Sequence, residues 1–197
     1  MNFIDTLKQE DLKLLKYKTY KGNQVMFNEG SICNYLIIML DGEATINTYT
    51  YREKEETLTV LKSGDLAGQF IIFTKNPIYL GTCITSKQTS IAYVSKENLL
   101  KIFNQNQDAL NFYLELICTE TVKIKEQTKL LAHKNIRDRI MFYLNHNSKN
   151  NVCCINSVTE LAFNLSLPRP SVSRELSNME KDKLIIKDGN FIYLNKK

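Results

Sequence analysis

Apolar residues recur with three different periods along this chain, and each change of period marks a change of element. Leu7, Leu12, Leu14 and Leu15 supply one apolar side of a stretch that the spacing predicts to be a short helix over Asp5–Lys16. From Lys18 to about Ser95 the pattern turns to short β-rich runs: Val25–Phe27, Tyr35–Leu40, Ala44–Tyr49, Thr57–Leu61, Tyr79–Ile84 and Ser90–Val94. Six of the seven glycines (22, 30, 42, 64, 68 and 81) fall in or beside the connections of this segment, as expected where tight turns need positive φ. Closely spaced strands of this kind predict a small jelly-roll or barrel, and an all-β sandwich of another topology fits the periodicity equally.

A third rhythm follows. Leu110, Leu114, Ile117, Thr121, Ile124, Thr128 and Leu131 alternate at spacings of four and three, the a/d seam of a two-helix coiled coil sustained over about three heptads. A single helix buried against the strands would also carry an apolar stripe. The polar residues between (Glu120, Lys123, Lys125, Glu126, Lys129) favour an exposed helix that pairs with a second copy. Threonine is a weaker knob than leucine, so modest dimer affinity is expected.

Beyond a hinge at His133-Lys134-Asn135, Ile136, Ile140, Met141, Tyr143 and Leu144 predict another amphipathic helix ending within Asn145–Asn151, and Val152–Ile155 a short strand. Ser157 then offers an N-cap, Glu160 three residues later the partner of a capping box, and Val158, Leu161, Ala162 and Leu165 a helical stripe. Pro168 ends that stripe and suits the first position of a second helix, whose buried side would be Val172, Leu176 and Met179. Arg169, Ser171, Ser173 and Arg174 are left on its other faces. This is the layout of a helix–turn–helix, with Arg169 and Ser171 in the first turns, where a recognition helix meets base edges. Leu184–Lys187 and Phe191–Leu194, flanking Asp188-Gly189-Asn190, predict a hairpin that would form a wing.

Composition sharpens this picture. The net charge of +5 is concentrated from Lys134 onward, where eleven basic residues face six acidic ones, while the rest of the chain is balanced at fifteen each. A basic third coinciding with a helix–turn–helix is an electrostatic footprint for nucleic acid, although a solvated basic face is the alternative that charge alone allows. No run of about 18 apolar residues predicts a membrane span. Met1-Asn2-Phe3-Ile4-Asp5 lacks the basic and apolar regions of a signal peptide. Five cysteines without a framework spacing fit a reducing compartment, so a cytoplasmic protein is expected.

The stretch Arg169-Pro170-Ser171-Val172-Ser173-Arg174-Glu175-Leu176, with Met179-Glu180 and Leu184-Ile185 after it, resembles the recognition-helix region of the Crp/Fnr family of bacterial transcription regulators. Gly22–Gly30 and Leu36–Ala44 likewise resemble that family's cyclic-nucleotide-binding-type β-roll, and the likeness covers nearly the whole chain. The resemblance implies an α+β fold in three parts: an N-terminal β-roll sensor (1–106), a long central dimerisation helix (107–133) and a C-terminal winged helix–turn–helix (134–197). It further implies a homodimer on double-stranded DNA with an inverted-repeat operator, RNA polymerase as a further partner, and no enzymatic activity. Arg169, Ser171 and Arg174 would read bases, and Ser157, Thr159 and Ser173 would hold phosphates. Pro170 stands where several members carry a glutamate, so the half-site should differ at that step.

Cyclic-nucleotide rolls hold the phosphate with a Gly-Glu pair and then an Arg-Ser or Arg-Thr pair about a dozen residues later. Here those places read Gly68-Gln69 and Tyr79-Leu80, with Lys75 the nearest preceding base. A buried phosphate without its arginine is costly, so cyclic AMP in the family's usual mode is not expected, and no other effector is indicated. The cysteine cluster of the oxygen-sensing members is missing, and no Cys-x-x-Cys pattern occurs, so neither metal nor cofactor is expected. Cys33 and Cys83 are expected within the roll, Cys118 on the central helix, and Cys153 and Cys154 on opposite faces of one strand. No Ser/His/Asp order with motif support, phosphate loop or zinc-hydrolase motif suggests catalysis. A reading from another class is a cyclic-nucleotide-type module that binds a ligand and regulates a protein partner without touching DNA. Arg169, Arg174 and the clustered basic charge weigh against it.

Overall fold

The computed structural model of the chain describes residues 2–49 and 55–195, in two compact units, Met1–Thr119 and Glu120–Lys197. The first opens on a 3-10 turn (Phe3–Thr6) and a four-residue helix α1 (Gln9–Leu12). The continuous helix expected over 5–16 is therefore broken. Leu7 and Lys8 are extended, and Lys16 already begins a strand. The cause is Asp11, whose carboxylate accepts from the Lys8 N–H at 2.9 Å and so starts a new helical turn there. Asp11 is almost fully buried, and Gln105 and Asn106 donate to its two oxygens at 2.9 and 2.6 Å. Burial pushes its carboxyl up, but these three hydrogen bonds together outweigh that and leave it below the ordinary carboxylate value.

Eight strands follow: β1 (Lys16–Tyr20), β2 (Val25–Phe27), β3 (Tyr35–Asp41), β4 (Glu43–Tyr49), β5 (Glu55–Lys62), β6 (Leu66–Ala67), β7 (Thr82–Thr85) and β8 (Thr89–Ser95). They form two antiparallel four-stranded sheets, ordered β1-β8-β3-β6 and β2-β7-β4-β5. This is the jelly-roll arrangement, which removes the sandwich alternative. Gly42 lies between β3 and β4 at φ 97°, and a Cβ there would fall 2.6 Å from the Gln88 carbonyl. Only glycine closes that corner.

The run Tyr79–Ile84 becomes a strand only from Thr82. Tyr79 is instead bound to the loop after β2, accepting from the Gly30 N–H and donating to the Ser31 carbonyl. Helix α2 (Lys96–Gln105), capped by Ser95, lies across β3 and β8. Leu36, Ile38, Leu99, Ile102 and Phe3 share the core. Helix α3 (Gln107–Ala132) then runs for 26 residues.

In the second unit, α4 (Ile136–Asn147) is capped by Asn135 and leads into β9 (Val152–Cys154), α5 (Val158–Asn164), α6 (Arg169–Lys181), β10 (Ile185–Asp188) and β11 (Phe191–Leu194). The strands form one sheet in the order β10-β11-β9. Its core joins Ile140 and Leu144 of α4 to Leu161 of α5 and Val172, Leu176 and Met179 of α6, with Cys153 and Ile192 from the sheet. Asp188 pairs with Phe191, so the hairpin loop is Gly189-Asn190, with Gly189 at φ 55°.

Candidate nucleic-acid interface

Helix α5 begins at Ser157, whose hydroxyl accepts from the Glu160 N–H at 3.0 Å. The capping box is not closed: the Glu160 carboxylate takes the Asn156 side-chain amide at 3.0 Å instead. The helix ends in a Schellman turn. Ser166 N–H bonds the Phe163 carbonyl and Leu167 N–H the Ala162 carbonyl, with Ser166 in the left-handed region at φ 52°. Pro168 is not the first helical residue of α6 but its extended N-cap (φ −61°, ψ 129°), and Pro170 occupies the first turn, where its missing N–H costs nothing. Lys183 at φ 57° closes α6 with a second Schellman turn onto Glu180 and Met179.

This framework settles where the side chains lie. Val172, Leu176 and Met179 are buried, and Arg169, Ser173 and Arg174 are exposed, with Ser171 half-buried. Neither Arg169 nor Arg174 forms an ion pair among the described residues. Ser157 and Thr159 are exposed at the start of α5. Ser157 Oγ is occupied as an acceptor, so its proton remains to donate.

Two arginines that charge counting cannot separate from these are used internally. Arg137 on α4 donates through Nε to Glu175 at 2.5 Å and through Nη1 to Asp182 at 2.8 Å, tying α4 to the middle and end of α6. Glu175 chiefly, then Asp182, raises the Arg137 pKa further. Arg139 donates to the carbonyls of His133 (3.0 Å), Leu165 (3.3 Å) and Leu131 (3.5 Å). It thereby links the end of α3 to the helix–turn–helix turn, while its Nε stays buried without a partner. Both are positioning residues. The only sequence signal for them is an arginine on the polar face of α4, which does not name its partners.

On α3 the predicted seam divides. Leu110 and Ile117 pack partly against the core of the roll, beside buried Ala109 and Tyr113. Leu114, Ile124 and Leu131 are 50%, 58% and 48% exposed, and Thr121 and Thr128 are also exposed. The Thr128 hydroxyl bonds back to the Ile124 carbonyl at 2.9 Å.

In the roll, Gly68 has φ 84°, and a Cβ there would lie 2.8 Å from Cys33 Sγ. The Gln69 carbonyl accepts from the Tyr113 hydroxyl at 2.6 Å. Tyr79 is buried and stacked on Phe27 at 3.8 Å, whereas Leu80 is 72% exposed. Neither Tyr79 nor Leu80 carries a basic side chain. Burial pushes the Tyr79 hydroxyl far above its ordinary range, and the Cys33 thiol also up. Burial likewise pushes the Cys83 thiol up to about 12. Cys33, Cys83 and Cys153 are buried and free, Cys118 and Cys154 exposed and free. No cluster of His, Cys, Asp or Glu able to hold a metal occurs among the described residues.

The architecture is a jelly-roll followed by a winged helix–turn–helix. Residues 17–106 match the cyclic nucleotide-binding domain family. The anaerobic regulatory protein of Bacillus subtilis (strain 168) is 26% identical over 183 residues, covering 87% of this chain and 76% of that protein. Among solved structures, the catabolite activator protein of Thermus thermophilus is similar in fold with a TM-score of 0.60 at 16% identity, over 98% of this chain and 93% of that one. The c-di-GMP-responsive global regulator CLP of Xanthomonas campestris gives 0.53 at 19% identity, over 99% of each. The family match covers residues 17–106, and the likeness to the solved structures is one of fold. No described helix is long and apolar enough to cross a membrane.

Proposed function

We propose that this protein is a cytoplasmic, homodimeric, sequence-specific DNA-binding transcription regulator that reads an inverted repeat and does not respond to cyclic AMP. The observation that carries the reading is the pair Arg169 and Arg174. Both project from α6 away from its buried stripe, and neither has an anionic partner among the described residues. An unpaired guanidinium on a recognition helix is suited to bidentate pairing with guanine O6 and N7. Ser171 adds a contact at the same groove, and Ser157, Thr159 and Ser173 hold phosphates.

Dimerisation through Leu110, Leu114, Ile117, Thr121, Ile124, Thr128 and Leu131 sets two such helices on successive half-sites about one helical turn apart. Three of those apolar side chains, Leu114, Ile124 and Leu131, are about half exposed in the single chain, as a pairing stripe requires. The working parts are the roll (1–106), the central helix (107–133) and the winged helix (134–197). An effector in the roll would act by shifting the balance between dimer geometries. RNA polymerase is the further partner that a regulator of this class engages.

Charge supports the absence of a cyclic AMP response: a phosphate bound in the usual mode would meet Gln69, Tyr79 and Leu80, none of them cationic. Selection of bound sequences from a random duplex pool, followed by titration at several salt concentrations, tests the proposal. A palindromic consensus and affinity falling steeply with salt are expected. Absence of any selected sequence would favour the protein-partner module.

A further inference from the structure

The chain has two histidines, and both lie against the same phenylalanine of α4. His133, just after α3, has its ring 4.8 Å from that of Phe142. His146, one turn beyond Phe142 on α4, stacks parallel to it at 6.2 Å. This column fixes the His146 ring, whose Nε2 donates to the Glu126 carboxylate of α3 at 3.1 Å. Leu130, one turn beyond Glu126 on the same face of α3, is buried with Ile140 and Leu144 of α4. Glu126 and His146 therefore brace the rim of a joint whose apolar centre is Leu130. Both side chains are about half exposed, so the imidazole exchanges protons freely with solvent.

Few other charges surround this ring. On α3, Lys123 and Lys129 stand about one turn to either side of Glu126, and Lys123 is held by Glu120 at 2.7 Å. On α4, Arg137 is held by Glu175 and Asp182, Arg139 by three carbonyls, and Asp138 by the Asn135 amide. Lys149 lies just past the end of the helix, and β9 and β11, which also pack on α4, carry no charged residue. Glu126 is the carboxylate that His146 meets. His133 forms no ion pair among the described residues, and its charged neighbours are the cations Lys129, Lys134 and Arg139.

A histidine changes charge between about pH 5 and 8. With His146 protonated the contact is an ion pair, and once the proton leaves it is a weaker hydrogen bond from a neutral ring. The gain is present at the acid end of that range and lost toward pH 8. One side of the joint, α3, carries the exposed Ile124 and Leu131, and the other, α4, is tied to α6 through Arg137. A tighter joint fixes α6 relative to the pairing stripe, which lowers the ordering cost of presenting two recognition helices at one spacing.

We propose that Glu126 and His146 form a pH-sensitive brace between α3 and α4, tightened by acid, that raises affinity for operator DNA as pH falls from 8 to 6. The action on DNA rests on the reading of α6 as a DNA reader, whereas the brace itself is tested without DNA.

Histidine NMR of the full chain from pH 5 to 8 follows both rings, assigned through His133→Gln and His146→Gln. Glu126→Gln should move the His146 midpoint to lower pH by roughly 0.2–0.7 and leave that of His133 in place. Filter binding to the selected operator at pH 6 and 8 is the second measurement. On acidification the natural chain should gain about twofold to fivefold more affinity than His146→Gln or Glu126→Gln, and His133→Gln should keep the natural gain. All three variants should keep the natural circular dichroism, because no core side chain is changed. An unmoved His146 midpoint in Glu126→Gln overturns the brace, whatever happens on DNA. A moved midpoint with the same pH response in the natural chain and His146→Gln overturns its action on DNA. Failure of the natural chain to select any operator removes the DNA reading and that action together, and the NMR still decides the brace.

Discussion

Ser166→Gly should stabilise the helix–turn–helix, and the size of the gain can be worked from the backbone. Ser166 holds φ 52° as the left-handed residue of the turn between α5 and α6. An L residue in that conformation costs roughly 1–2 kcal/mol, which glycine avoids. Glycine gives back part of this, about 0.4–1 kcal/mol, through the larger entropy of its unfolded chain. The serine is exposed and its hydroxyl makes no hydrogen bond among the described residues, so no side-chain interaction is lost. The net expectation is a gain of roughly 0.5–1 kcal/mol. Amide hydrogen exchange in α5 and α6 measures this locally, and those amides should slow by about twofold to fivefold. Ser166→Ala, which keeps the Cβ, should bring no such gain. Unchanged or faster exchange in the glycine variant, or an equal gain with alanine, would refute the claim that this turn stores backbone strain.

Further expectations follow from other parts of the molecule. Ile124→Asp places a charge on a side chain that is 58% exposed in the single chain, so the fold should survive while sedimentation shows a monomer; a folded dimer would remove the seam. Asp11 has a lowered pKa in the folded state, so its contribution to stability is complete above its unfolded value and is lost as pH falls through the folded one. Asp11→Asn should therefore destabilise the first unit at neutral pH and flatten its acid dependence in urea unfolding, and an unaltered slope at low pH would contradict the assignment. Calorimetric titration with cyclic AMP should give no saturable heat, and micromolar binding would overturn the reading of Gln69, Tyr79 and Leu80.

What the sequence discloses depends on how local the determining physics is. The strands and turns from Val25 onward are readable because glycines punctuate them, and α6 because Val172, Leu176 and Met179 mark its buried side. The break at Leu7-Lys8 is not readable, since it depends on Asp11 meeting Gln105 and Asn106 from nearly a hundred residues away. β1, alternating Lys16-Tyr17-Lys18-Thr19-Tyr20, looks like a polar linker until its pairing with β8 is known. Among the candidate site residues, Arg137 and Arg174 are indistinguishable as sequence. One is held by Glu175 and Asp182 and the other is free, a distinction made by packing alone.

The central claim is that α6 reads bases, and the most direct measurement is sequence selection by Arg174→Ala beside the natural protein. The natural chain should select an inverted repeat. The variant should keep the repeat and its spacing but lose preference at one base pair in each half-site, at a cost of about 1–3 kcal/mol there. Selection by the variant of the same consensus with undiminished stringency, or of no consensus by either protein, would contradict the account.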